Sequence, residues 1–244
     1  MRSVVSQLNL LAASAVCLLS AACAPLSIKP DSQLAAESEA SKVTYERHLL
    51  SKDDAKISGY KIEDLDISWT LGGSMAIKGV QIGGQTKKFK FTVRNEQGQG
   101  VAAACATDYE SASTKLLGGS LTKGRGGLDC TFTGKDGGQD GSIVVKGTPE
   151  AGDEITGRLV TGPGALHTIS VDKDSNGKVR GMVLGYEVRN DERSVALLQT
   201  IGERKIWVLK AMDPLQKLSV MAAGMALTIH TEVLSDMAES ASKN

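Results

Sequence analysis

The chain has 244 residues, of which 41% are hydrophobic and 23% charged, so it can bury a core and does not have the composition of a disordered protein. Its formal net charge is zero and no block of like charges occurs, which excludes the electrostatic attraction that nucleic-acid-binding proteins need. Aromatic residues make up only 4% while glycine occurs 27 times, which favours an all-β chain with small core side chains and many tight turns.

Residues 1–22 have the features of an export signal. A positive charge near the N-terminus precedes an apolar stretch that is densest from Leu10 to Leu19, and small residues lead up to Cys23. An apolar core of about ten residues is well short of the ~20 that a transmembrane helix needs. Cleavage directly before Pro25 is disfavoured by the fixed ring of proline, whereas cleavage before Cys23 avoids it. We therefore predict that residues 1–22 are a signal peptide and are removed.

The segment Leu19-Ser20-Ala21-Ala22-Cys23 resembles the bacterial lipobox, in which small residues admit the peptide to a lipoprotein peptidase and a thiol receives diacylglycerol. Ser20 stands at the position where leucine is commonest. The resemblance implies that Cys23 carries acyl chains such as palmitate, and that two or three of these chains hold the protein on a membrane. By the same resemblance, Ala24 implies the outer membrane of a Gram-negative bacterium. The alternative is a secreted protein without lipid.

Four cysteines occur in the chain, and their positions leave one pair for a disulfide. Cys17 leaves with the signal peptide and Cys23 takes the lipid, so Cys105 and Cys130 are the pair that remains in an oxidising compartment. The alternative, two unpaired buried thiols, applies if the chain stays in the cytosol.

Residues 23–58 are predicted to form the lipidated N-terminus and a tether. This stretch is polar and rich in alanine, and residues 34–47 favour a short helix by propensity. A spacer of this kind holds a folded domain away from the membrane surface.

The barrel domain is predicted over residues 59–244, where the hydrophobic period changes to two. Residues 88–94 alternate between apolar and basic or hydroxyl side chains, and residues 128–133 alternate in the same way, which places Cys130 on a core face. Nine further runs of this kind bring the predicted number of strands to eleven: 62–71, 75–82, 101–109, 141–147, 155–160, 167–171, 179–188, 195–201 and 205–211.

A helix is predicted over about residues 214–238. Asp213-Pro214 ends the last strand and starts the helix, whose residues 215–229 leave almost no polar face, so it must be buried all round. With about twelve strongly apolar residues it is interpreted as too short to span a bilayer. A barrel of eleven or twelve strands is too wide for its own side chains to fill, so we predict an antiparallel β-barrel around a central hydrophobic helix.

The run Arg204-Lys205-Ile206-Trp207-Val208-Leu209, a short loop and the Ala/Met/Leu helix together resemble the carboxy-terminal end of tubby-like barrels. This superfamily includes the phospholipid scramblases and the LURP-one-related proteins. The resemblance is architectural and covers about residues 60–238. It implies association with membranes and phospholipids, although no basic phosphoinositide-binding cluster occurs in the chain.

Asp172, Asp174 and Asn176, followed by Gly177, match the opening of a calcium-binding loop. The twelfth position of that loop is Val183 rather than glutamate, and strands flank it instead of helices. The preferred interpretation is a solvated hairpin turn.

No set of residues in the sequence forms a recognisable active site, metal site or cofactor site. His48 lies in the tether and His230 near the end of the helix, while His167 is in phase with Ile169 and Val171 and is expected to face inward as a core histidine. The glycine-rich stretches, residues 118–127 and 134–141, lack P-loop spacing.

The sequence thus predicts a non-enzymatic envelope lipoprotein whose barrel binds a protein or lipid partner. The alternative is a lipid-handling protein that takes an acyl chain or phospholipid into the barrel, and a gap beside the helix over residues 215–234 would favour it. An enzyme with an unfamiliar site is a third hypothesis.

Overall fold

The structure, a computed structural model, describes residues 26–46, 54–68, 72–77, 80–116, 119–147, 155–162 and 164–242. Only the backbone is described for residues 74–77, 80–81, 113–116, 119–123 and 241–242. Cys23, His48 and the predicted signal peptide lie outside the described residues.

The described chain contains thirteen strands and two helices. The helices are α1 (Ser32–Glu37) and α2 (Pro214–Ser242). The strands are β1 (Ser38–Glu46), β2 (Asp54–Ile57), β3 (Lys61–Ser68), β4 (Gly73–Ile77), β5 (Val80–Arg94), β6 (Gly100–Leu116), β7 (Gly119–Lys135), β8 (Gly141–Gly147), β9 (Thr156–Thr161), β10 (Gly164–Val171), β11 (Gly185–Asn190), β12 (Arg193–Gln199) and β13 (Lys205–Leu209).

Twelve of the strands form one antiparallel sheet that nearly closes into a barrel. Its order is β2-β1-β13-β12-β11-β10-β9-β8-β7-β6-β5-β3, and β4 pairs with β5 outside this path. The two end strands, β2 and β3, are consecutive in the chain, and Ile57 pairs with Tyr60 between them. The predicted fold class, an all-β barrel with one C-terminal helix, is therefore confirmed.

Strands β5, β6 and β7 are longer than the others, with 15, 17 and 17 residues. β7 pairs with β8 only from Gly126 to Phe132, whereas its pairing with β6 continues as far as Gly119. The far parts of β5, β6 and β7 therefore extend beyond their neighbours as a ribbon, with β4 at its edge.

The alternation that predicts strands in the sequence also places the core. In β5, Phe89, Phe91 and Val93 are buried while Lys88 and Lys90 are exposed, as a period of two requires. The same alternation puts Cys130 inside, directly opposite Cys105 on β6. The two cysteines form a disulfide with a Cα–Cα distance of 4.1 Å, as predicted.

Helix α2 occupies the interior of the barrel. Asp213 accepts hydrogen bonds through its carboxylate from the backbone N–H groups of Leu215 and Gln216, and Pro214 follows it at the first helical position. Every residue from Leu218 to His230 is buried. The barrel wall therefore surrounds this part of the helix on all sides, as predicted.

The argument that α2 is too short to cross a membrane is wrong. Residues Pro214–Ser240 are long and apolar enough to do so by length and composition. What distinguishes this helix from a transmembrane segment is its burial, since 78% of its most apolar window lies inside the protein.

The prediction that residues 23–58 form a tether is wrong for residues 26–46, which the structure describes. Helix α1 is only six residues long, and residues 38–46 form strand β1, which pairs with β13 and β2. In β1, Ser41, Val43 and Tyr45 are buried, so the strand has an inward face. Tertiary pairing overrides the helical propensity of its glutamate, alanine and lysine residues.

Residues 26–37 lie across the outer face of the barrel beside β11 and β12. Ile28 and Leu34 are buried there, and a groove between this segment and the barrel is lined by Leu34, Val171 and Leu197. We call residues 26–37 the N-terminal strap. Because the strap covers its outer face, β12 buries residues on both faces, which explains its continuous apolar run from Val195 to Leu198.

Candidate functional site: an apolar cavity beside the C-terminal helix

A cavity of about 400 Å³ lies beside the C-terminal half of α2, where the ribbon leaves the barrel. Segments 182–186 and 230–238 form part of its wall. Its aliphatic and thioether lining consists of Val145, Ile155, Met182, Val183, Ile201, Leu234 and Ala238. None of the described residues that line the cavity is an aspartate, glutamate, lysine or arginine. The site is therefore suited to an apolar ligand.

Glycines on β7 determine the shape of one wall. A Cβ atom on Gly124 would lie 2.3 Å from the Tyr109 hydroxyl oxygen, and one on Gly126 would lie 2.9 Å from the Leu234 methyl carbons. Since both distances are shorter than real side chains tolerate, only glycine lets Tyr109 and Leu234 lie against the strand backbone. The cavity keeps its width because these side chains lie flat.

The polar groups around the cavity are neutral. His230 is 3% exposed, and burial lowers the pKa of its ring to about 3. Burial raises the pKa of the Tyr186 hydroxyl, which therefore stays protonated at ordinary pH. Tyr109, Thr231 and Ser235 are the other described lining residues with polar side-chain groups. A ligand in this cavity meets hydrogen-bonding groups but no fixed charge.

Among the residues that the structure describes near the cavity, His230 and Thr107 form the one pair that resembles a nucleophile with a base, since His230 Nδ1 lies 3.0 Å from Thr107 Oγ1. Thr107 has no exposed surface, so a substrate carbonyl cannot reach its hydroxyl oxygen. A histidine whose pKa is about 3 is also a weak base at neutral pH. The hydrogen bond instead satisfies a buried ring nitrogen that would otherwise lack a partner.

The segment between β10 and β11 carries the predicted hairpin turn. Gly177 has a φ of +77° and its N–H donates to the Asp174 carbonyl at 2.8 Å, while Lys173 pairs with Val179. The turn prediction is thus confirmed. The predicted strand over residues 179–188 is wrong at its start, because the regular strand begins at Gly185.

The Asp174 carboxylate, considered above as a calcium ligand, is occupied by groups of its own turn. It accepts hydrogen bonds from the backbone N–H groups of Asn176 and Lys178, at 2.9 and 3.0 Å, and from the guanidinium of Arg180. These bonds hold the pKa of Asp174 below its usual value, with the Lys178 backbone N–H contributing most. Among the described residues, no group of three histidine, cysteine, aspartate or glutamate side chains is arranged to hold a metal ion.

The expectation that His167 faces inward is wrong. Leu166 and Thr168 occupy the inward positions of β10, and His167 is exposed. Val171, used above to set the phase of this strand, faces the groove beneath the N-terminal strap. The apolar residues that fixed the phase therefore lie on the outer face of the barrel.

His230 lies near the end of the helix, as expected, but sequence reasoning missed that it lines a cavity. The signal that could have revealed the cavity is the change after Ile229, where a nearly continuous apolar run gives way to His230 and Thr231. Glycine at both Gly124 and Gly126, two residues apart on one face of a strand, is a second signal.

Comparison with known proteins gives no further assignment, since no protein-family model, no curated protein and no solved structure matches this chain.

Proposed function

We propose that this protein is a lipoprotein of the bacterial envelope, anchored through Cys23 in the outer membrane, whose barrel is a non-enzymatic binding domain for one acyl chain. The observation that carries the proposal is the uncharged, mainly apolar cavity beside α2. Such a gap favours lipid handling over a barrel that only displays a surface to a protein partner.

The volume of the cavity limits the ligand. At roughly 30 Å³ per water-sized group, about 400 Å³ holds on the order of a dozen non-hydrogen atoms. This is room for most of one acyl chain but not for the two chains and head group of a phospholipid. Each methylene moved from water into such a site contributes about 0.8 kcal/mol, so affinity for a single chain is physically reasonable.

The proposal includes the resemblance to tubby-like barrels, and two features of the structure support it. The barrel is antiparallel and nearly closed, and it surrounds a C-terminal helix. The lipid association that the resemblance implies agrees with an apolar cavity at one end of that helix. The described lining has no lysine or arginine to pair with a phosphate head group, so the proposal concerns the chain of the lipid rather than its head.

Binding is tested with a neutral naphthylamine fluorophore, whose emission rises in apolar sites, and a chain exported without lipid by means of Cys23→Ser and a non-lipoprotein signal. We expect saturable binding that Thr231→Phe weakens about tenfold or more, equivalent to 1.4 kcal/mol, because the ring fills the cavity. Ser240→Phe is the matched control. Both hydroxyls donate to the carbonyl four residues earlier, but Ser240 does not line the cavity.

Absence of saturable binding by the unlipidated chain would contradict the proposed ligand class. Equal binding by the Thr231→Phe and Ser240→Phe variants would place the ligand elsewhere on the molecule. The anchor is tested separately by mass spectrometry of the native protein, in which we expect acyl chains on Cys23. A mature chain that starts at another residue without lipid would remove the lipoprotein part of the proposal.

A further inference from the structure

The start of the N-terminal strap is fixed to the segment that carries Met182. The carbonyl oxygen of Ser27 accepts a hydrogen bond from the backbone N–H of Ser175 at 2.7 Å, and the two serine hydroxyls lie 3.1 Å apart. Met182 follows Ser175 in the same β10–β11 segment, lines the cavity and is 45% exposed. Residue 27 is therefore tied to an element of the cavity mouth.

A buried glutamine makes a second connection between the strap and the cavity. The Gln199 side chain accepts from the backbone N–H of Ile28 at 3.0 Å and donates to the carbonyl oxygens of Leu26 and Ile201, at 3.3 and 2.9 Å. Ile201 lines the cavity. Next to it, a Cβ on Gly202 would lie only 2.4 Å from the Leu26 carbonyl oxygen. Leu26 thus packs against the backbone at the rim of the cavity.

The distance from this rim to the lipid attachment site is short. Cys23 precedes Leu26 by three residues, and consecutive Cα atoms are 3.8 Å apart, so the two Cα atoms are separated by at most about 11 Å. The lipid that we assign to Cys23 therefore starts within about 11 Å of the residue that packs against Ile201 and Gly202.

We propose, on the basis of the function proposed above, that the acyl chain in the cavity belongs to the lipid on Cys23 of the same molecule. The chemistry of that lipid fits the site, because diacylglycerol joined to a cysteine thioether has no phosphate and the described lining has no cation to bind one.

Proximity favours the protein's own lipid over a phospholipid of the surrounding membrane. Moving a chain from a bilayer into an apolar cavity exchanges one apolar environment for another, so the hydrophobic effect contributes little to the choice. A short link between ligand and site gives an effective concentration of about millimolar or more. The lipid on Cys23 stays within reach of the cavity wherever the barrel lies, whereas a phospholipid is available only where the cavity meets the bilayer.

Occupancy of the cavity weakens the hold on the membrane. Stable anchoring takes two lipid signals, whereas one acyl chain gives marginal, reversible binding. With one chain of Cys23 in the cavity, one or two chains remain for the bilayer. The cavity thereby converts a two-chain anchor into one that can release, whereas a three-chain anchor keeps two chains in the bilayer and stays stable.

The test places the photoreactive residue p-benzoylphenylalanine at Met182 in the full-length, lipidated protein in its native membrane. After irradiation and proteolysis, mass spectrometry identifies what has reacted. We expect the peptide that contains residue 182 to be joined to the N-terminal lipopeptide through an acyl chain. Ser235, an exposed residue on the helical side of the cavity, is a second position should Met182 tolerate the change poorly.

Three controls limit the interpretation. The same photoreactive residue at Lys90, on the outer wall with 64% of its side chain exposed, should give no such product. Adding Thr231→Phe should reduce the yield at Met182 severalfold, and adding Ser240→Phe should leave it unchanged. A mixture of isotopically heavy and light protein should give products within one molecule only.

Three outcomes would overturn the inference. A phospholipid adduct at residue 182 would assign the cavity to a membrane lipid and leave the proposed acyl-chain function standing. Products that join a heavy peptide to a light one would assign the cavity to the lipid of a neighbouring copy of the protein. Absence of any lipid adduct at both positions would reject the protein's own lipid as the ligand. If the unlipidated chain also fails to bind the fluorophore, the proposed function fails with it.

Discussion

The two halves of helix α2 are surrounded differently. From Leu218 to Ile229 every residue is buried, and the helix approaches the wall so closely that a Cβ on Gly224 would lie 2.4 Å from Ile206 Cδ1. From Thr231 to Ser240 only Val233 and Met237 are buried, and the cavity lies alongside. The same helix therefore completes the core at one end and leaves space at the other.

Because of this difference, one half of α2 stabilises the barrel and the other half leaves room for a ligand. Close packing on all sides leaves no room for a ligand, and any change of volume there is destabilising. The cavity half gives up such contacts, and glycines on β7 preserve the space that results. His230, hydrogen-bonded to Thr107, marks the boundary between the two halves.

The largest effect is expected in the packed half. Ala223 has no exposed surface, and Ala223→Asp would bury a carboxylate with no partner, at a cost of several kcal/mol or more. Because a domain of this kind is stable by only about 5–15 kcal/mol, we expect loss of the folded barrel by circular dichroism.

The matched control introduces an aspartate in the cavity half of the helix instead. Ser235 is exposed at the cavity, so Ser235→Asp should change the free energy of unfolding by less than about 1 kcal/mol. A folded, stable Ala223→Asp variant would mean that the packed half is not central to the barrel, and the comparison would fail.

A smaller effect is expected from the disulfide, which lies just on the packed side of the boundary. Cys105 precedes Thr107 by two residues on the inward face of β6. Its bond to Cys130 closes a loop of 25 residues, for which the chain-entropy model gives about 3.5 kcal/mol. The double variant Cys105→Ala, Cys130→Ala should lose about this much in a urea titration.

Reduction of the unmodified protein provides the control for this prediction, because it breaks the same bond without altering the sequence. Both the variant and the reduced protein should keep their affinity for the fluorophore if the disulfide acts on stability alone. A loss of stability below about 1 kcal/mol in either would show that the crosslink constrains the unfolded chain little.

The elements that the sequence predicted well are those whose pattern has one physical cause. Residues 88–94 alternate because one face of β5 is buried, while Lys88 and Lys90 on the other face are exposed; Thr92 on that second face is buried as well. Residues 218–229 carry only two polar side chains, Ser219 and Thr228, because the barrel encloses them. In each case the arrangement of apolar residues along the segment is enough to indicate which of its side chains are buried.

The prediction failed where tertiary contacts cover a surface that local sequence cannot anticipate. Strand β1 has helix-favouring residues, yet β13 and β2 pair with it on both sides. His167 was assigned to the wrong face because Val171, which set the phase, is an apolar residue on the outer face, beside the strap. No single-strand pattern contains that information.

The cavity could be expected only in part. A gap beside the helix was considered for the lipid-handling alternative, and the cavity lies there. Its depth depends on how Tyr109 and Leu234 lie over Gly124 and Gly126, which are distant in sequence from the helix. Such a space results from the packing of several elements, so no one segment encodes it.

The smallest effect concerns the boundary residue and its dependence on pH. The unfolded chain protonates His230 near its ordinary pKa of 6.5, but the folded chain does so only near 3. Between these values the unfolded state binds one more proton, so stability falls as the pH falls, by up to about 1.4 kcal/mol per pH unit. His230→Gln abolishes this contribution.

The measurement compares the free energy of unfolding of the unmodified protein and of His230→Gln at several pH values from 7 to 4. Carboxylates titrate in both proteins and cancel in the difference, so the variant should lose less stability than the unmodified protein below pH 6.5. Thr107→Val tests the source of the shift, because burial rather than this hydrogen bond is its cause, and the pH dependence should persist. Parallel curves for the unmodified protein and His230→Gln would mean that water reaches the ring. The cavity would then extend past His230, and the packed half of the helix would end closer to its N-terminus.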